Sequence, residues 1–456
     1  MNADKKIYEV IILGGGISGL TCSRYLNNTP HLLLEKNERW GGSIISKSLH
    51  DGILECGPNF LLLRKAEAKK IIDELGLTSE LLSPSRDSRK RSVLLESGLI
   101  VLTPFHLFLH LLRKSPITNW KFIIGGASWK RSTINESVYD FFARKFSPYF
   151  AKNFARPMVS GIYGGDAKRI LMKLAFPLFS KFDEKFNSFW LGAFSHFLKK
   201  ENHPTPSGLY SFKDGLGRLI DCLIQKTKGD LKLGEQVLSL QFEDGVWNVT
   251  TQKQTYSSRH LVSSLPAYEM SNLLAPLDKE ISEKLKLIDY PWLSVFFMAY
   301  NKDQIKKNPS GFGFLNAEIE KKNLLGCFYS SSMFASRFPK NETVFTIFVG
   351  GSLRQDLKRM SHEQHVFSLH QELKKLFEIE GDPLWTHQNS WEKSIPQYES
   401  PVVDFREQLI NKQLFKGTLH FATNYVAGVS VPDCMIHAKG IAKNITDGGL
   451  HDGQKV

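Results

Sequence analysis

The sequence predicts an α/β fold class, with a sheet-and-helix domain, a second sheet-based lobe and a helical insertion. Three observations support this. A short apolar strand near the N-terminus runs directly into a glycine-rich turn and a helix, strand-like segments recur around 236–250 and 259–265, and further strand-like segments follow between 293 and 349. Strands that alternate with helices are typical of a parallel sheet covered by helices. With 456 residues, the chain is long enough for two or three hydrophobic cores.

The N-terminal turn carries the sharpest local signal. Residues 7–13 read IYEVIIL, a buried strand, and continue into GGGISG and a helix. In this G-x-G-x-x-G pattern we expect Gly14 to permit the tight turn, Gly16 to let a pyrophosphate approach, and Gly19 to allow close helix packing. A second strand, HLLL, ends on Glu35, whose carboxylate suits a ribose hydroxyl and disfavours a 2′-phosphate. Together these features predict a Rossmann-like dinucleotide-binding domain.

The kind of dinucleotide is indicated by residues 35–43, which read EKNERWGGS. This stretch resembles the E-x(3)-R-x-G-G pattern of the large FAD-dependent amine-oxidase-like superfamily. Near the C-terminus, residues 418–423 read as a strand, and a helix is expected from about Met435 after an intervening glycine turn. A second helix N-terminus would stabilise the negative charge that develops on a flavin during reduction. The two turns therefore predict bound FAD.

Composition excludes several classes of protein. Hydrophobic residues make up 42% and charged residues 23% of the chain, which is ordinary for a folded protein and excludes a largely disordered one. The five cysteines are scattered without a CxxC pair, so we expect reduced thiols in an intracellular protein. No secretory signal is recognised, and no apolar run reaches the roughly 18 residues of a membrane-spanning helix. No metal site or Ser/His/Asp constellation is predicted.

Residues 86–200 hold the charge imbalance of the chain. The net charge is +13, and this segment contains 20 Lys or Arg against 7 Asp or Glu, together with 15 of the 32 Phe. A helical stripe at steps of four is expected to face a core, whereas the interleaved basic residues favour an added role at an anionic lipid surface. No nucleic-acid-binding module is recognised, so nucleic acid is not an expected partner. The stripe comprises Phe142, Phe146, Phe150 and Phe154, and the basic residues are Arg144, Lys145, Lys152 and Arg156.

Several segments, in order along the chain, resemble one family. Residues 156–166, RPMVSGIYGGD, with LAFP at 174–177, resemble the P-x-V-S-G-I-Y-x-G-D…A-F-P signature of the protoporphyrinogen oxidases, FAD enzymes of haem biosynthesis. Matching segments lie at 55–59, 328–334, 348–352, 395–398 and 428–434. The resemblance implies oxidation of protoporphyrinogen IX to protoporphyrin IX, in three two-electron flavin turnovers with oxygen or quinone as acceptor. Oxidation of coproporphyrinogen III to coproporphyrin III stays an alternative, and a flavin amine oxidase is a more remote one.

The resemblance also implies a domain organisation. The expected FAD-binding domain is discontinuous and comprises residues 1–60, 206–268 and 405–450. Residues 61–85 and 269–404 would form the substrate-binding domain, and 86–205 a helical, basic, Phe-rich membrane-binding insertion. The expected partners are the porphyrinogen, an anionic membrane surface and a neighbouring haem-pathway enzyme. The expected location is cytoplasmic, with peripheral attachment to the cytoplasmic face of the inner membrane.

Site residues follow from the motifs and the resemblance. Arg91 would face a substrate propionate, although it lies in a charge run typical of a solvated surface. Leu315, Leu325 and Phe348 would sandwich the macrocycle, although the two leucines suit a core equally well. Asn59 would lie close to the flavin, and no catalytic residue is assigned. The expected cofactor-binding residues are Gly14, Gly15, Gly16, Ser18, Gly19, Glu35, Lys36, Arg39, Gly42, Ser43, Gly57, Pro58, Asn59, Phe60, Val237, Trp391, Asn424, Val429, Ser430 and Val431.

Overall fold

The computed structural model describes residues 6–103, 110, 133, 135–186, 208–411 and 414–448. The chain divides into two compact units. The first comprises Met1–Ser83, Thr205–Asp289 and Pro401–Val456, and the second comprises Pro84–Pro204 and Tyr290–Ser400. Each unit is therefore built from segments far apart in sequence, and the predicted three-domain division stays a prediction.

Strands and helices alternate along most of the described chain. The strands are β1 (Ile7–Leu13), β2 (His31–Leu34), β3 (Ser46–Leu49), β4 (Gly52–Glu55), β5 (Leu61–Leu63), β6 (Leu81–Leu82), β7 (Arg91–Leu95), β8 (Gly98–Val101), β9 (Gly208–Phe212), β10 (Asp230–Lys232), β11 (Val237–Glu243), β12 (Val246–Thr251), β13 (Thr255–Ser263), β14 (Leu293–Asn301), β15 (Gly313–Asn316), β16 (Gly326–Tyr329), β17 (Glu342–Gly350), β18 (Trp385–Trp391) and β19 (Leu419–Phe421). The longer helices are α1 (Ile17–Tyr25), α2 (Ala66–Glu74), α3 (Val138–Lys145), α4 (Arg156–Tyr163), α5 (Pro177–Phe186), α6 (Gly217–Lys226), α7 (Ala267–Leu274), α8 (Lys279–Lys286), α9 (His362–Phe377), α10 (Ser400–Asn411) and α11 (Val431–Thr446).

The main sheet of the first unit has the strand order β10-β2-β1-β13-β12-β11, and β19 also pairs with β13. β10, β2, β1, β13 and β19 are parallel, whereas β12 and β11 continue the sheet as an antiparallel hairpin. The predicted strands at 7–13 and 31–34 are confirmed with the same bounds. The α/β fold class is confirmed as well.

Helices α1, α2, α6 and α11 pack in one core with this sheet. Val10 and Ile12 of β1 are buried together with Leu20 of α1, Leu219 of α6 and Met435 of α11. β1 and β2 are parallel and in register as far as their last residues. The turn after β1 and the carboxylate after β2 therefore lie at the same edge of the sheet, where ligands of open parallel sheets bind.

Two predicted element boundaries differ in the structure. Helix α11 begins at Val431 rather than near Met435, because the Ser430 hydroxyl accepts a hydrogen bond from the Asp433 amide and Pro432 occupies the first turn. The strand-like segment around 236–250 is two strands, β11 and β12. Asp244 and Gly245 join them, and both have positive φ, as a tight hairpin turn requires.

The sheet of the second unit has the order β18-β14-β17-β16-β15-β7-β8. Its pairs are antiparallel except for β15 with β7. One face packs on helix α9, where Phe314, Phe345 and Ile347 are buried with Leu369 and Leu373. Neighbouring residues on these strands point to the opposite face, because side chains alternate along a strand.

The phenylalanine stripe of the insertion is part of a packed core. Successive rings from Phe142 through Phe146 and Phe150 to Phe154 lie 6.0, 4.9 and 5.3 Å apart between centroids. The sequence predicts a helix bent at Pro148. In the structure the helix ends at its C-cap, Phe146, and Ser147 caps a new turn that begins at Pro148 by accepting a hydrogen bond from the amide of Phe150. The core-facing interpretation of the stripe is therefore confirmed.

The basic residues between these rings are mostly paired with acids. Arg144 contacts Glu136, with 2.6 Å between Nε and Oε1, and it also contacts Asp183, which binds Lys145 as well. Arg156 is paired with Glu320, whereas Lys152 is exposed. Residues 104–109, 111–132, 134 and 187–205 of the predicted insertion lie outside the described residues. Within the described part of the chain, no helix is long and apolar enough to cross a membrane.

Candidate functional site

The turn after β1 forms an open helix N-terminus. Gly14 has φ of +98°, a left-handed conformation that suits glycine, and Gly16 is the N-cap of α1. No side chain caps this helix, and its first turn carries no acidic residue. A Cβ added at Gly16 would meet only the Cα of Gly42, at 3.9 Å, among the described residues. The free amides of the first turn and the space beside Gly16 fit a pyrophosphate.

The other glycines of the turn allow close packing. A Cβ at Gly19 would overlap the carbonyl oxygen of Gly14 and lie 2.8 Å from Oγ of Ser264. A Cβ at Gly15 would overlap the indole ring of Trp40. Helix α1 can therefore approach β1 and β13 only because these positions lack side chains.

Glu35 is buried at the end of β2. Its Oε2 accepts a hydrogen bond of 2.7 Å from the Gly15 amide, and its Oε1 accepts two from Asn37, of 3.0 Å from the backbone amide and 2.5 Å from the side chain. A carboxylate has about four acceptor positions. One position on Oε2 is still free for a ribose hydroxyl, and the three bonds orient the group beside the glycine turn.

A second loop lies against the first. Gly41 donates its amide to the Gly15 carbonyl at 2.8 Å, which places Gly42 opposite Gly16. Arg39 closes this loop by donating from Nη2 to the Gly42 carbonyl at 2.5 Å. Lys36 forms an ion pair of 2.6 Å with Glu269. The expected contacts of Lys36 and Arg39 with the cofactor stay predictions.

The N-terminus of α11 packs beside that of α1. The Cys434 thiol donates to the Gly428 carbonyl at 3.3 Å, and burial raises the pKa of this thiol to about 12. The Gly428 backbone, with φ of +131°, precedes the turn, and Asp433 in the first turn of α11 pairs with Lys65 at 2.8 Å. The helix N-termini that follow the two predicted glycine turns, those of α1 and α11, thus both lie in the first unit.

The other predicted cofactor residues lie on several elements. Ser43 is exposed next to Gly42, and Asn59 donates to the Gly57 carbonyl at 3.0 Å. Trp391 is the last residue of β18, in the second unit, and its role toward the cofactor stays a prediction. Val431 is buried as the first residue of α11. Five other predicted cofactor residues of the first unit are partly exposed: Pro58, Phe60, Val237, Asn424 and Val429.

Two predicted substrate residues share the face of the second sheet opposite α9. Leu315 on β15 pairs with Gly326 on β16, and Gly326 pairs with Phe348 on β17. Leu315 and Phe348 are partly exposed, whereas Leu325 retains only 2% of its surface. The register therefore brings Leu315 and Phe348 onto one face across a glycine, and Leu325 is a core residue in this structure.

On that face, aromatic rings form a continuous row that ends at a cation. The centroid of Phe348 lies 5.0 Å from that of Phe328, which lies 4.9 Å from that of Phe312. The Arg91 guanidinium is 5.1 Å from the centroid of Phe312. All three rings are partly exposed. Sequence reasoning missed Phe312 and Phe328. The signal for Phe328 was its position two residues after Gly326, which puts it on the same strand face.

The S-G-I-Y-G-G signature packs against this region. A Cβ at Gly161 would overlap the side chain of Leu315, so only glycine lets α4 lie there. Gly164, in the left-handed region at φ of +60°, ends α4 and accepts a hydrogen bond of 2.7 Å from the Ser352 amide. The Gln397 amide donates to the Tyr163 carbonyl at 3.0 Å. The signature thus holds α4 against β15 and the end of β17.

Comparison with known proteins establishes the family. The model of "flavin containing amine oxidoreductase" matches residues 17–446, so the chain belongs to this family. It is 27% identical to protoporphyrinogen oxidase 2, chloroplastic/mitochondrial, of Arabidopsis thaliana, over 93% of this chain and 91% of that protein. It is 23% identical to coproporphyrinogen III oxidase of Bacillus subtilis (strain 168), over 94% of this chain and 96% of that protein.

A solved structure has the same fold. A crystal structure from Exiguobacterium sp. 255-15, provisionally assigned as a protoporphyrinogen oxidase, superposes with a TM-score of 0.84 at 20% identity, covering 97% of this chain and 100% of that one. The predicted resemblance is confirmed by these relatives. The chain is a flavin-dependent oxidoreductase with FAD as cofactor, and the glycine turn, the oriented Glu35 and the uncapped helix α1 fit the adenosine and pyrophosphate parts of that group. The described residues contain no cluster that could hold a metal ion.

Proposed function

We propose that the chain oxidises protoporphyrinogen IX to protoporphyrin IX. The substrate loses six hydrogens in three two-electron steps, and the electrons pass through FAD to oxygen or quinone. The observation that carries this proposal is the row from Phe348 to Arg91. The rings meet edge to face and form a continuous apolar surface, and among the described residues the Arg91 guanidinium lies at its end. A macrocycle that is apolar over most of its area and carries propionates at one edge fits such a surface.

The chemistry needs little from the protein beyond this binding surface. The flavin supplies the hydride acceptor, and pyrrole N–H protons can leave to water. The residues of the aromatic row hold the macrocycle, while Arg91 orients it by a charge-assisted contact with a propionate. Because the protons can leave to water, the reaction does not require a general base, and none is assigned. The names of the relatives, protoporphyrinogen oxidase in several and coproporphyrinogen III oxidase in one, support the porphyrinogen class.

Coproporphyrinogen III is the second candidate substrate, because the Bacillus subtilis relative carries that name at similar identity. Flavin amine oxidase activity is a more remote candidate function, since the family model describes amine oxidoreductases. Both porphyrinogens should be supplied side by side to the flavin-replete protein, with and without quinone, while porphyrin fluorescence is recorded. The proposal predicts porphyrin formation and anaerobic bleaching of the flavin. A flavin-replete protein that forms porphyrin from neither substrate, or that is bleached by amines instead, would contradict it.

We also propose peripheral attachment of residues 86–205 to an anionic membrane on its cytoplasmic face. The excess of 20 basic over 7 acidic residues in 86–200 supports it, although three of the four cations along the phenylalanine stripe are paired within the protein. A lipid-adjacent entrance suits a poorly soluble substrate. A neighbouring enzyme of haem synthesis is a further proposed partner.

A further inference from the structure

We propose that Phe328 determines specificity, favouring the porphyrinogen with two propionates over the one with four; this inference rests on the proposed function. Phe328 is the central ring of the row and contacts Phe348 on one side and Phe312 on the other, at 5.0 and 4.9 Å. It lies on β16, on the sheet face opposite α9, and is partly exposed. A macrocycle that spans from Phe348 to Arg91 therefore crosses Phe328.

The two candidate substrates differ in what they place over this ring. Protoporphyrinogen carries two vinyl groups where coproporphyrinogen carries two more propionates. A vinyl group gains from burial against an aromatic ring, whereas a carboxylate loses hydration there. In the described part of the row, Arg91 is the cation, and it lies at the far end, over Phe312. One guanidinium binds one carboxylate well, so a further carboxylate over Phe328 is left uncompensated.

The neighbouring strand geometry keeps Phe328 in this position. Gly326, two residues earlier on the same face, is packed so closely that a Cβ there would lie 2.9 Å from the Phe314 carbonyl and 3.4 Å from Leu315. The β16 backbone is therefore packed closely against β15, and strand pairing with β15 and β17 holds it there. Since the ring is fixed between two other rings, a change of residue type at 328 alters the surface without an obvious rearrangement of the strand.

The test compares kcat/KM for the two porphyrinogens in Phe328→Arg, Phe328→Ala and wild type, all flavin-replete. A guanidinium at 328 can bind the added propionate, so the ratio of protoporphyrinogen to coproporphyrinogen activity should fall roughly tenfold or more in Phe328→Arg. Phe328→Ala removes the vinyl contact without adding charge, and the ratio should fall severalfold through a higher KM for protoporphyrinogen. The matched control is Phe367→Arg, which adds the same charge at a ring on α9 that is 67% exposed, and which should leave the ratio unchanged.

The outcomes separate the two proposals. A wild-type protein that binds flavin but oxidises neither porphyrinogen contradicts the proposed function. A wild type that oxidises them, with the same ratio in Phe328→Arg and Phe328→Ala, overturns the role of Phe328. The role of Phe328 is also overturned if the wild type prefers coproporphyrinogen, or if Phe367→Arg shifts the activity ratio as much as Phe328→Arg. If Phe328→Arg does not fold, the ratio in Phe328→Ala decides.

Discussion

Two glycines three residues apart should respond to alanine in opposite ways. A Cβ at Gly19 would overlap the Gly14 carbonyl and lie 2.8 Å from Oγ of Ser264, so helix α1 has to move. Overpacking of this kind costs about 1–3 kcal/mol. At Gly16 the added Cβ would meet, in the part of the chain that the structure describes, only the Cα of Gly42 at 3.9 Å, and the backbone, with φ of −74°, accepts alanine. The cost of alanine at an N-cap and the gain from a less flexible unfolded chain nearly cancel, to within about 1 kcal/mol.

For FAD binding, in contrast to folding, we expect alanine to cost more at Gly16 than at Gly19. The Cβ of Gly16→Ala would occupy the space beside the uncapped end of α1, where we place the pyrophosphate. An overlap of about 1–3 kcal/mol there weakens FAD binding roughly tenfold to a hundredfold. Gly16→Ala should therefore lose FAD while its apoprotein unfolds normally, whereas Gly19→Ala should unfold at lower urea concentration even without FAD.

The assay uses flavin-stripped protein. Urea unfolding followed by circular dichroism reports apoprotein stability, and titration with FAD reports affinity. Gly440→Ala is the control, since among the described residues no atom apart from its chain neighbours and the nearby backbone of α11 lies within 4 Å of the added Cβ. Alanine there should leave FAD affinity unchanged and stabilise the fold by about 0.5–1 kcal/mol. Wild-type FAD affinity in Gly16→Ala, or wild-type apoprotein stability in Gly19→Ala, would refute the assignment of these two glycines.

Three further predictions concern the substrate, the membrane and pH. Arg91→Ala should lower kcat/KM about tenfold to a hundredfold, mainly through KM, at unchanged FAD content; unchanged kinetics would remove Arg91 from the site. Binding to anionic vesicles should exceed binding to neutral ones and weaken with salt, and equal binding to both would contradict attachment through the charge of residues 86–200. Burial lowers the pKa of His31, whose Nδ1 donates to the Thr29 carbonyl at 2.7 Å. The unfolded chain therefore binds a proton below about pH 6.5 that the folded chain does not, and stability should fall with decreasing pH by up to about 1.4 kcal/mol per unit. His31→Gln should reduce this slope in urea unfolding from pH 7 to 5, and an unchanged slope would assign the dependence to other groups.

Much of the nucleotide-binding half could be predicted because its signals are local. A strand, a tight turn and a helix N-terminus follow one another within about twenty residues, and each needs particular residue types at particular positions. The prediction for the start of α11 was wrong by about four residues, because Ser430 and Pro432 begin the helix before its apolar periodicity becomes visible. The phenylalanine stripe was predicted to face a core, and it does, since spacing by four specifies one helix face even across the break at Phe146.

The sequence by itself determined the glycine turn, the acid after β2, the basic and aromatic segment, and the family. The tertiary structure decided which residues meet. Phe312, Phe328 and Phe348 belong to three different segments, and Arg91 to a fourth; only strand register brings them into one row. It also showed that Arg144 and Lys145 are neutralised by Glu136 and Asp183, so a count of charges overstates what the surface offers. The physical reason is the same in both cases: local signals depend on backbone conformation within a few residues, whereas pairing across a sheet or between helices depends on packing that no single segment encodes.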